Sequence, residues 1–355
     1  MMRTIPRELR LSLFILTLSV ILYYGKGVLI PVAIAALLAM LFVGLASLME
    51  KKGLPRWASA LICILILVCC VTGFAFLLQW QIQSFAEQFS TMKKNLQQSL
   101  ASLQAWVENQ LGIDHAEQDA IAEKQMSQSN NSNMIQAAAF GVLGFLVDAI
   151  LVVVYTYLLL FYRFRLKNFV LQIVPTKQRE RSVDIIDSAS TVAGSYMTGL
   201  FKMIVILWVM YGIGFSAVGV ENALFFAILC GVLELIPFVG NLTGTAIAIL
   251  GVTAQGGDTN MILGVVGVYM VVQFTQTYFL EPLVVGDQVN INPLFTIFGL
   301  VAAEAIWGIP GMLLAIPFMG IIKIICDRIP QLQPYGYLIG SNRKRKSPSW
   351  KRKNR

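Results

Sequence analysis

The stretch that decides the fold is Gly231-Val-Leu-Glu-Leu-Ile-Pro-Phe-Val-Gly-Asn-Leu-Thr-Gly244, which lies inside a long apolar segment. It contains a carboxylate, a proline, an asparagine and three glycines, and these residues disfavour an uninterrupted membrane-spanning helix. The apolar block around it, residues 222–251, is also longer than the roughly 20 residues that cross a bilayer. This pattern predicts a helix that stops halfway.

A second apolar block, residues 292–325, is interrupted in the same way by Trp307-Gly-Ile-Pro-Gly311. The two blocks match at a constant offset of 70 residues, and each carries a glutamate, Glu234 or Glu304, shortly before its break. The match predicts a structural repeat. Paired, interrupted segments of this kind are the best sequence-level indication of a transporter's binding site.

Each half of a block has about 15 residues and forms a helix about 22 Å long, which is shorter than the roughly 30 Å hydrocarbon core of a bilayer. Each block is therefore either one long kinked helix or a hairpin that enters and leaves on the same side. Kinked helices give eight crossings in the whole chain, and hairpins give six. We favour two hairpins that enter from opposite sides, with residues 261–280 crossing between them.

The whole chain has the composition of a polytopic membrane protein. Of its 355 residues, 57% are hydrophobic and 13% are charged, whereas soluble domains have about 45–50% and about 25%. We predict an all-α fold with six spanning helices, two re-entrant broken-helix hairpins and an external amphipathic arm. The predicted spans are residues 11–24, 27–48, 57–80, 137–162, 192–218 and 261–280.

The arm is predicted from apolar side chains that recur at three- and four-residue steps between residues 85 and 111, a pattern typical of an amphipathic helix. We expect it to pack on protein, because a helix lying in the membrane surface has a more basic polar face. The expected regions are three N-terminal transmembrane helices (1–80), the arm with a polar loop (81–136), two transmembrane helices with a basic connection at 163–181 (137–220), the transport core (221–328) and a basic tail (329–355).

Basic residues set the orientation. They precede the first predicted span, follow the second and the fourth, and make up eight of the last fifteen residues, 341–355. By the positive-inside rule both termini are cytoplasmic and the arm is outside. We expect the tail to bind anionic lipid rather than nucleic acid, because it lies beside a membrane.

Three motifs in the C-terminal half resemble the autoinducer-2 exporter family of bacterial permeases. They are Leu235-Ile-Pro-Phe-Val-Gly240, Leu280-Glu-Pro-Leu-Val-Val-Gly286 and Ile306-Trp-Gly-Ile-Pro-Gly-Met-Leu-Leu-Ala-Ile-Pro317, the last followed by Ile321-Ile-Lys-Ile324. The resemblance implies an inner-membrane transporter, built as a homo-oligomer (pentamers in the family), with two helical hairpins around the substrate site. It also implies elevator-like movement of the hairpin region. Family members are associated with export of autoinducer-2 or with exchange of sodium or lithium for protons.

The breaks supply the candidate substrate site, because backbone groups freed inside the membrane must be satisfied by protein or by water in a cavity. Two helix N-termini would point toward mid-membrane, with Asn241 and Thr243 capping one and Pro310 in the first turn of the other. Such ends bind polar or anionic solutes. The predicted binding residues are Glu234, Pro237, Gly240, Asn241, Thr243, Glu304, Gly308, Pro310 and Gly311.

Three carboxylates within predicted helical segments, Asp148, Glu234 and Glu304, are candidates for ion or proton coupling, because an ionised carboxylate is costly there. For both glutamates a hydrogen bond to a hairpin tip explains the residue equally well, and helix packing explains Asp148. Gln273, Gln276 and Glu281 are candidates to line a path. Packing also accounts for the two glutamines, and Glu281-Pro282 is interpreted mainly as a helix stop.

No sequence motif for ATP binding, zinc binding or nucleophilic catalysis is present, so we expect neither an enzyme nor a cofactor. The favoured function is a secondary transporter, an exporter of small polar solutes. The alternatives are a monovalent cation/proton antiporter, an oligomeric channel and a membrane scaffold that does not transport.

Overall fold

A computed structural model describes residues 7–76, 79, 131–236, 239–285 and 290–341. The helices of this part are α1 (Arg7–Tyr24), α2 (Lys26–Lys51), α3 (Arg56–Phe76), α4 (Asn131–Ile173), α5 (Arg179–Val218), α6 (Ala223–Leu233), α7 (Val239–Ala254), α8 (Thr259–Thr275), α9 (Pro293–Trp307), α10 (Ile309–Arg328) and α11 (Gln333–Ile339). The predicted all-α class is confirmed. The amphipathic segment 85–111 and the tail from residue 342 onward lie outside the described residues.

Six helical segments of the described chain are long and apolar enough to cross a membrane. Five of them correspond to the predicted second to sixth spans. The remaining long helix is Ile309–Arg328. It is the second half of the second interrupted block, so this half is longer than we predicted. The predicted first span, residues 11–24, is only a shorter apolar helix. The chain is thus an integral membrane protein, with a different distribution of long helices than expected.

The predicted basic connection at 163–181 is largely helical. Helix α4 continues to Ile173, and α5 begins at Arg179. The reason is local, because the first helix-breaking residue after Arg163 is Pro175. Helix α5 ends where Gly219 adopts a left-handed conformation with φ of 85°, which glycine reaches without strain.

The first interrupted block is a hairpin. Helix α7 lies against α6, because Gly240 and Gly244 let the two backbones approach closely and Gly251 leaves room for the Phe226 ring. A Cβ on Gly244 would lie 3.3 Å from the Cα of Cys230, and a Cβ on Gly240 would overlap the carbonyl oxygen of Leu233. The glycine spacing therefore lets the chain reverse within a few residues.

The second interrupted block is also a hairpin. Helices α9 and α10 meet at Gly308, whose φ of 64° and ψ of −145° are accessible essentially only to glycine. A Cβ on Gly311 would overlap the carbonyl oxygen of Ala303, and one on Gly299 would overlap the sulfur of Met319. These contacts exclude the kinked-helix alternative for both blocks.

Residues matched by the 70-residue offset nevertheless have different surroundings. Asn292 caps α9, and its Oδ1 accepts from the Leu294 N–H at 3.0 Å, whereas Asn222 has a left-handed backbone with φ of 55°. Glu234 is partly buried and hydrogen-bonded, whereas Glu304 is exposed. The repeat extends to the hairpin shape but not to these side chains.

Helix α8 does not stop at Glu281-Pro282, so the helix-stop interpretation is wrong. After Thr275 the helix widens into a π-helix, Gln276–Val285, which includes Pro282. A proline lacks an N–H and its ring clashes with the carbonyl four residues earlier. In a π-helix the wider winding changes the distance between the proline ring and that carbonyl group. π-Helical segments also occur frequently at functional sites.

The core is organised around α5. One face of α5 packs against α6 and α8, in a cluster that also includes residues of α7, and its buried residues include Leu207, Tyr211 and Phe215. A smaller cluster joins α2 and α3 to α4 around Leu160. A third joins α2 to α5 and α10. Helix α5 thus holds the first hairpin on one side and α2 on another.

An ion pair connects α4 with α2. The Arg163 guanidinium donates to the Glu50 carboxylate at 2.6 Å, and the two side chains are only 14% and 17% exposed. A second pair, Lys167 with Asp187, joins α4 to α5 at 2.6 Å but is more exposed, at 30% and 59%. Removing one partner of a buried pair leaves an uncompensated charge, whereas exposed pairs contribute little.

We therefore expect Arg163→Leu to destabilise the protein by about 3 kcal/mol, and Lys167→Leu to change its stability by less than about 1 kcal/mol. The measurement is thermal unfolding of purified protein. The double variant Arg163→Leu/Glu50→Leu should recover much of the loss, because no buried charge is then left unpaired. A double variant less stable than Arg163→Leu alone would contradict this explanation.

Candidate functional site

The tip of the first hairpin contacts α8 through a pair of polar side chains. Glu234 follows the last residue of α6, and its Oε1 accepts a hydrogen bond from Gln276 Nε2 at 2.6 Å. Gln276 is only 2% exposed and is the first residue of the π-helical segment. The short distance fits a charge-assisted hydrogen bond. The change in helix winding and the hairpin tip therefore meet at one point.

The two remaining oxygens of this pair, Glu234 Oε2 and Gln276 Oε1, are buried without a hydrogen-bond donor in the described part of the chain. The same is true of Gln273 Oε1, three residues earlier on α8, and of Asn241 Oδ1, near the start of α7. Buried polar atoms are nearly always hydrogen-bonded, so a buried group of acceptors indicates a missing donor. A proton on Glu234, a hydroxyl-bearing solute or a cation would each supply what these oxygens lack.

Aromatic hydroxyl groups and a second carboxylate lie nearby. Tyr211 on α5 lies near Glu234 and near Tyr269 of α8. Glu281 is a second carboxyl group near Glu234, and Tyr196 of α5 lies near Glu281. Glu234, Gln276 and Glu281, which we selected from the sequence, are therefore neighbours, together with tyrosines that we did not select.

The start of α7 differs from the predicted capping arrangement. The helix begins at Val239, so Asn241 and Thr243 lie inside it and do not cap its end. The Thr243 hydroxyl donates to the Gly240 carbonyl at 3.1 Å instead. The predicted caps were wrong because the helix restarts before Gly240, not after it. Pro237 lies outside the described residues.

The second hairpin tip forms a separate group. Pro310 lies in the first turn of α10, as predicted, and Gly308 and Gly311 form the tight reversal. The indole N–H of Trp307 donates to the Leu22 carbonyl of α1 at 2.9 Å. Glu304 is exposed, and no hydrogen bond or ion pair joins it to the first hairpin within the described chain.

Asp148 is not part of either group. It is exposed on α4, and within the described residues no ion pair includes it. The sequence suggested three equivalent coupling candidates, whereas the structure buries only Glu234 among polar partners. Tyr196 and Tyr211 were missed because they resemble ordinary core aromatics. Their spacing along one face of α5 was the available signal.

Comparison with known proteins supports a role in transport. The family model described as AI-2E family transporter matches residues 11–331. "Putative transport protein YueF" of Bacillus subtilis is 26% identical over 319 residues, which cover 85% of this chain and 84% of the relative. "Putative permease PerM" of Escherichia coli K12 is 23% identical over 340 residues, covering 92% and 95%.

The match covers both hairpins and nearly all the described helices. The long apolar helices and the names of the relatives agree on an integral membrane protein that takes part in transport. The chain therefore belongs to the AI-2E transporter family.

Proposed function

We propose that the protein is a secondary transporter that exports small polar solutes, such as autoinducer-2-type signalling molecules, across the bacterial inner membrane. Both termini are cytoplasmic in this proposal, following the distribution of Lys and Arg. The protein works as a homo-oligomer, as the resemblance implies, and the region 221–328 moves against the rest. Breaks in paired helices are where secondary transporters bind their substrates.

The observation that supports the proposal is the buried hydrogen bond between Glu234 and Gln276 at the first hairpin tip. The other oxygens of this pair, Glu234 Oε2 and Gln276 Oε1, are buried and have no donor in the described chain. A small solute with several hydroxyl groups supplies donors to such oxygens. The start of α7, close beside them, adds N–H groups that donate to the solute's own oxygens. The arrangement therefore suits a compact polyhydroxylated molecule.

Transport by purified protein in proteoliposomes tests the proposal. We expect a labelled polyhydroxylated furanone to cross the membrane faster than in empty liposomes, and a pH gradient to change its final distribution. Vesicles that hold the protein in the two opposite orientations would establish the direction. Rates equal to those of empty liposomes for every polar solute, with and without the gradient, would contradict a solute carrier.

A monovalent cation/proton antiporter is the second candidate, and the same group of oxygens favours it. Carboxylate and amide carbonyl oxygens are ligands of hard cations, and one carboxylate that carries either a proton or a cation gives exchange. Addition of Na⁺ or Li⁺ to everted vesicles with an acidic interior should then dequench a pH-sensitive dye. Absence of a response from wild-type protein that is present in the membrane would count against the antiporter.

A further inference from the structure

A polar cleft lies between α2 and α5, away from the Glu234 group. Its volume is about 560 Å³. The α5 wall carries hydroxyl groups and one cation, from Ser190, Thr191, Ser195, Thr198 and Lys202. Together with Gly194 and Gly199 they form two adjacent rows with four-residue steps, 190/194/198/202 and 191/195/199. They therefore share one face of the helix. The core residues Tyr196, Leu200 and Leu207 lie on the opposite face.

The cation of this cleft, Lys202, has no carboxylate partner in the part of the chain that the structure describes. The acidic residue nearest to the cleft along α5, Asp187, is paired with Lys167 at 2.6 Å. Lys202 is also the last Lys or Arg before residue 323. A lysine facing a cleft without a counter-charge favours an anionic ligand.

The hydroxyl groups add both donors and acceptors. Thr191 donates to the Asp187 carbonyl and Thr198 donates to the Gly194 carbonyl, each at 2.8 Å. Their oxygens therefore face the cleft as acceptors. Ser190 and Ser195 have no hydrogen bond to other described residues, so their O–H groups are available as donors. A ligand that suits the cleft has anionic oxygens together with hydroxyl groups.

The opposite wall is apolar and close. Helix α2 contributes Met40, Leu41, Val43 and Gly44. The helices nearly touch beside the cleft, where a Cβ on Gly194 would lie 2.8 Å from the Met40 carbonyl oxygen. The cleft therefore has a polar and an apolar side, and an amphiphilic molecule fits that combination better than a free ion does.

The position of the cleft along the helices agrees with a lipid head group. Residues 203–218 of α5 carry no charge and extend about 24 Å. Residues 27–49 of α2 are also uncharged and extend about 35 Å. Both lengths are close to the roughly 30 Å of the hydrocarbon core, so Lys202 lies at the start of its apolar segment, and Gly44 lies about 8 Å before the end of its own. The positive-inside rule makes the start of the first segment and the end of the second cytoplasmic.

We propose that this cleft binds a phosphodiester that carries hydroxyl groups, with Lys202 against the phosphate and the serines and threonines around the hydroxylated part. The single negative charge of a phosphodiester matches the single lysine. The phosphoglycerol head of an anionic lipid and a soluble glycerophosphodiester share this chemistry. The site goes beyond the proposed transport function, because it uses the opposite face of α5 from the Glu234 group.

Two variants and two matched controls test the site in the full-length protein. Lys202→Gln removes the charge, and Lys177→Gln removes an exposed charge outside the cleft. Gly44→Leu fills the cleft, where a Cβ at Gly44 meets no atom within 4 Å, and Gly27→Leu adds the same side chain at an equally open position of α2. The two cleft variants change different helices, and Gly44→Leu leaves Lys202 intact. If one of them fails to fold, the other still tests the site.

Native mass spectrometry measures retained phosphatidylglycerol against phosphatidylcholine, and thermal unfolding measures binding of glycerophosphoglycerol. We expect Lys202→Gln to bind phosphatidylglycerol about tenfold more weakly, as loss of one charge-assisted hydrogen bond predicts. We expect Gly44→Leu to weaken binding at least as strongly, because its side chain occupies the cleft, while both controls match wild type. If the cleft variants weaken binding of glycerophosphoglycerol but not of phosphatidylglycerol, the ligand is a soluble phosphodiester. Binding of both probes that is unchanged in the cleft variants, or reduced equally in the controls, would overturn the proposal.

Discussion

Glu234→Ala is expected to lower the initial rate of solute transport about a hundredfold, while Glu304→Ala leaves it within about twofold. Glu234 is the carboxylate that the structure holds among buried polar groups, through its 2.6 Å hydrogen bond with Gln276. Losing a buried hydrogen bond to a charged group costs about 1.5–3 kcal/mol, and each 1.4 kcal/mol is a factor of about ten. Glu304 is exposed on α9, and its removal disturbs no described side-chain partner.

Proteoliposomes with equal amounts of monodisperse protein provide the measurement. Gln276→Leu is a further variant, because it removes the partner of Glu234 and should slow transport about as strongly. Glu234→Gln separates charge from hydrogen bonding, and we expect it to abolish any dependence on a pH gradient. Equal losses from Glu234→Ala and Glu304→Ala would show that the two matched glutamates share one role, contrary to this expectation.

Gly240→Ala is expected to prevent closure of the first hairpin. An added methyl group would overlap the carbonyl oxygen of Leu233, and a backbone atom cannot move aside by changing rotamer. Overpacking of this kind costs about 1–3 kcal/mol or more. We expect little monodisperse protein in size-exclusion chromatography and a clear fall in the unfolding temperature of what remains.

Two comparisons make this expectation specific to the hairpin. Gly251→Ala would overlap the Phe226 ring, which is a side chain, so the additional change Phe226→Leu should restore part of the loss. At Gly267 of α8 a Cβ meets no atom within 4 Å, and Gly267→Ala should be tolerated because alanine favours a helix over glycine. Similar behaviour of Gly240→Ala and Gly267→Ala would show that the limbs do not pack as described.

The breaks in the two apolar segments were predictable because each break is local. Pro310 cannot continue a preceding helix, and glycine permits a sharp turn, wherever the chain folds. The choice between a hairpin and a kinked helix depends instead on contacts between the two limbs. The helix limits were less predictable. Helix α4 runs to Ile173 because no residue before Pro175 stops it, although the charges from Arg163 onward had suggested that the span gives way to a basic connection there. Charge marks a membrane edge but does not end a helix.

The site was only partly predictable. Glu234 and Gln276 are 42 residues apart in the chain, and no spacing rule pairs them. Their hydrogen bond depends on how the first hairpin packs against α8. From the sequence alone, Glu304 and Glu234 are equally good candidates, because both precede a break at matched positions. Burial separates them, and burial depends on neighbouring helices that the matched segments do not share.

By itself, the sequence determined that this chain is an all-α membrane protein with two interrupted apolar segments, because apolar length, proline and glycine act locally. Only the tertiary structure decided that both segments are hairpins, that α8 passes through Pro282 as a π-helix, and that Glu234 rather than Glu304 meets a buried partner. Those outcomes depend on contacts between residues distant in the chain. Such contacts are set by packing around α5, which a linear pattern of residue types does not encode.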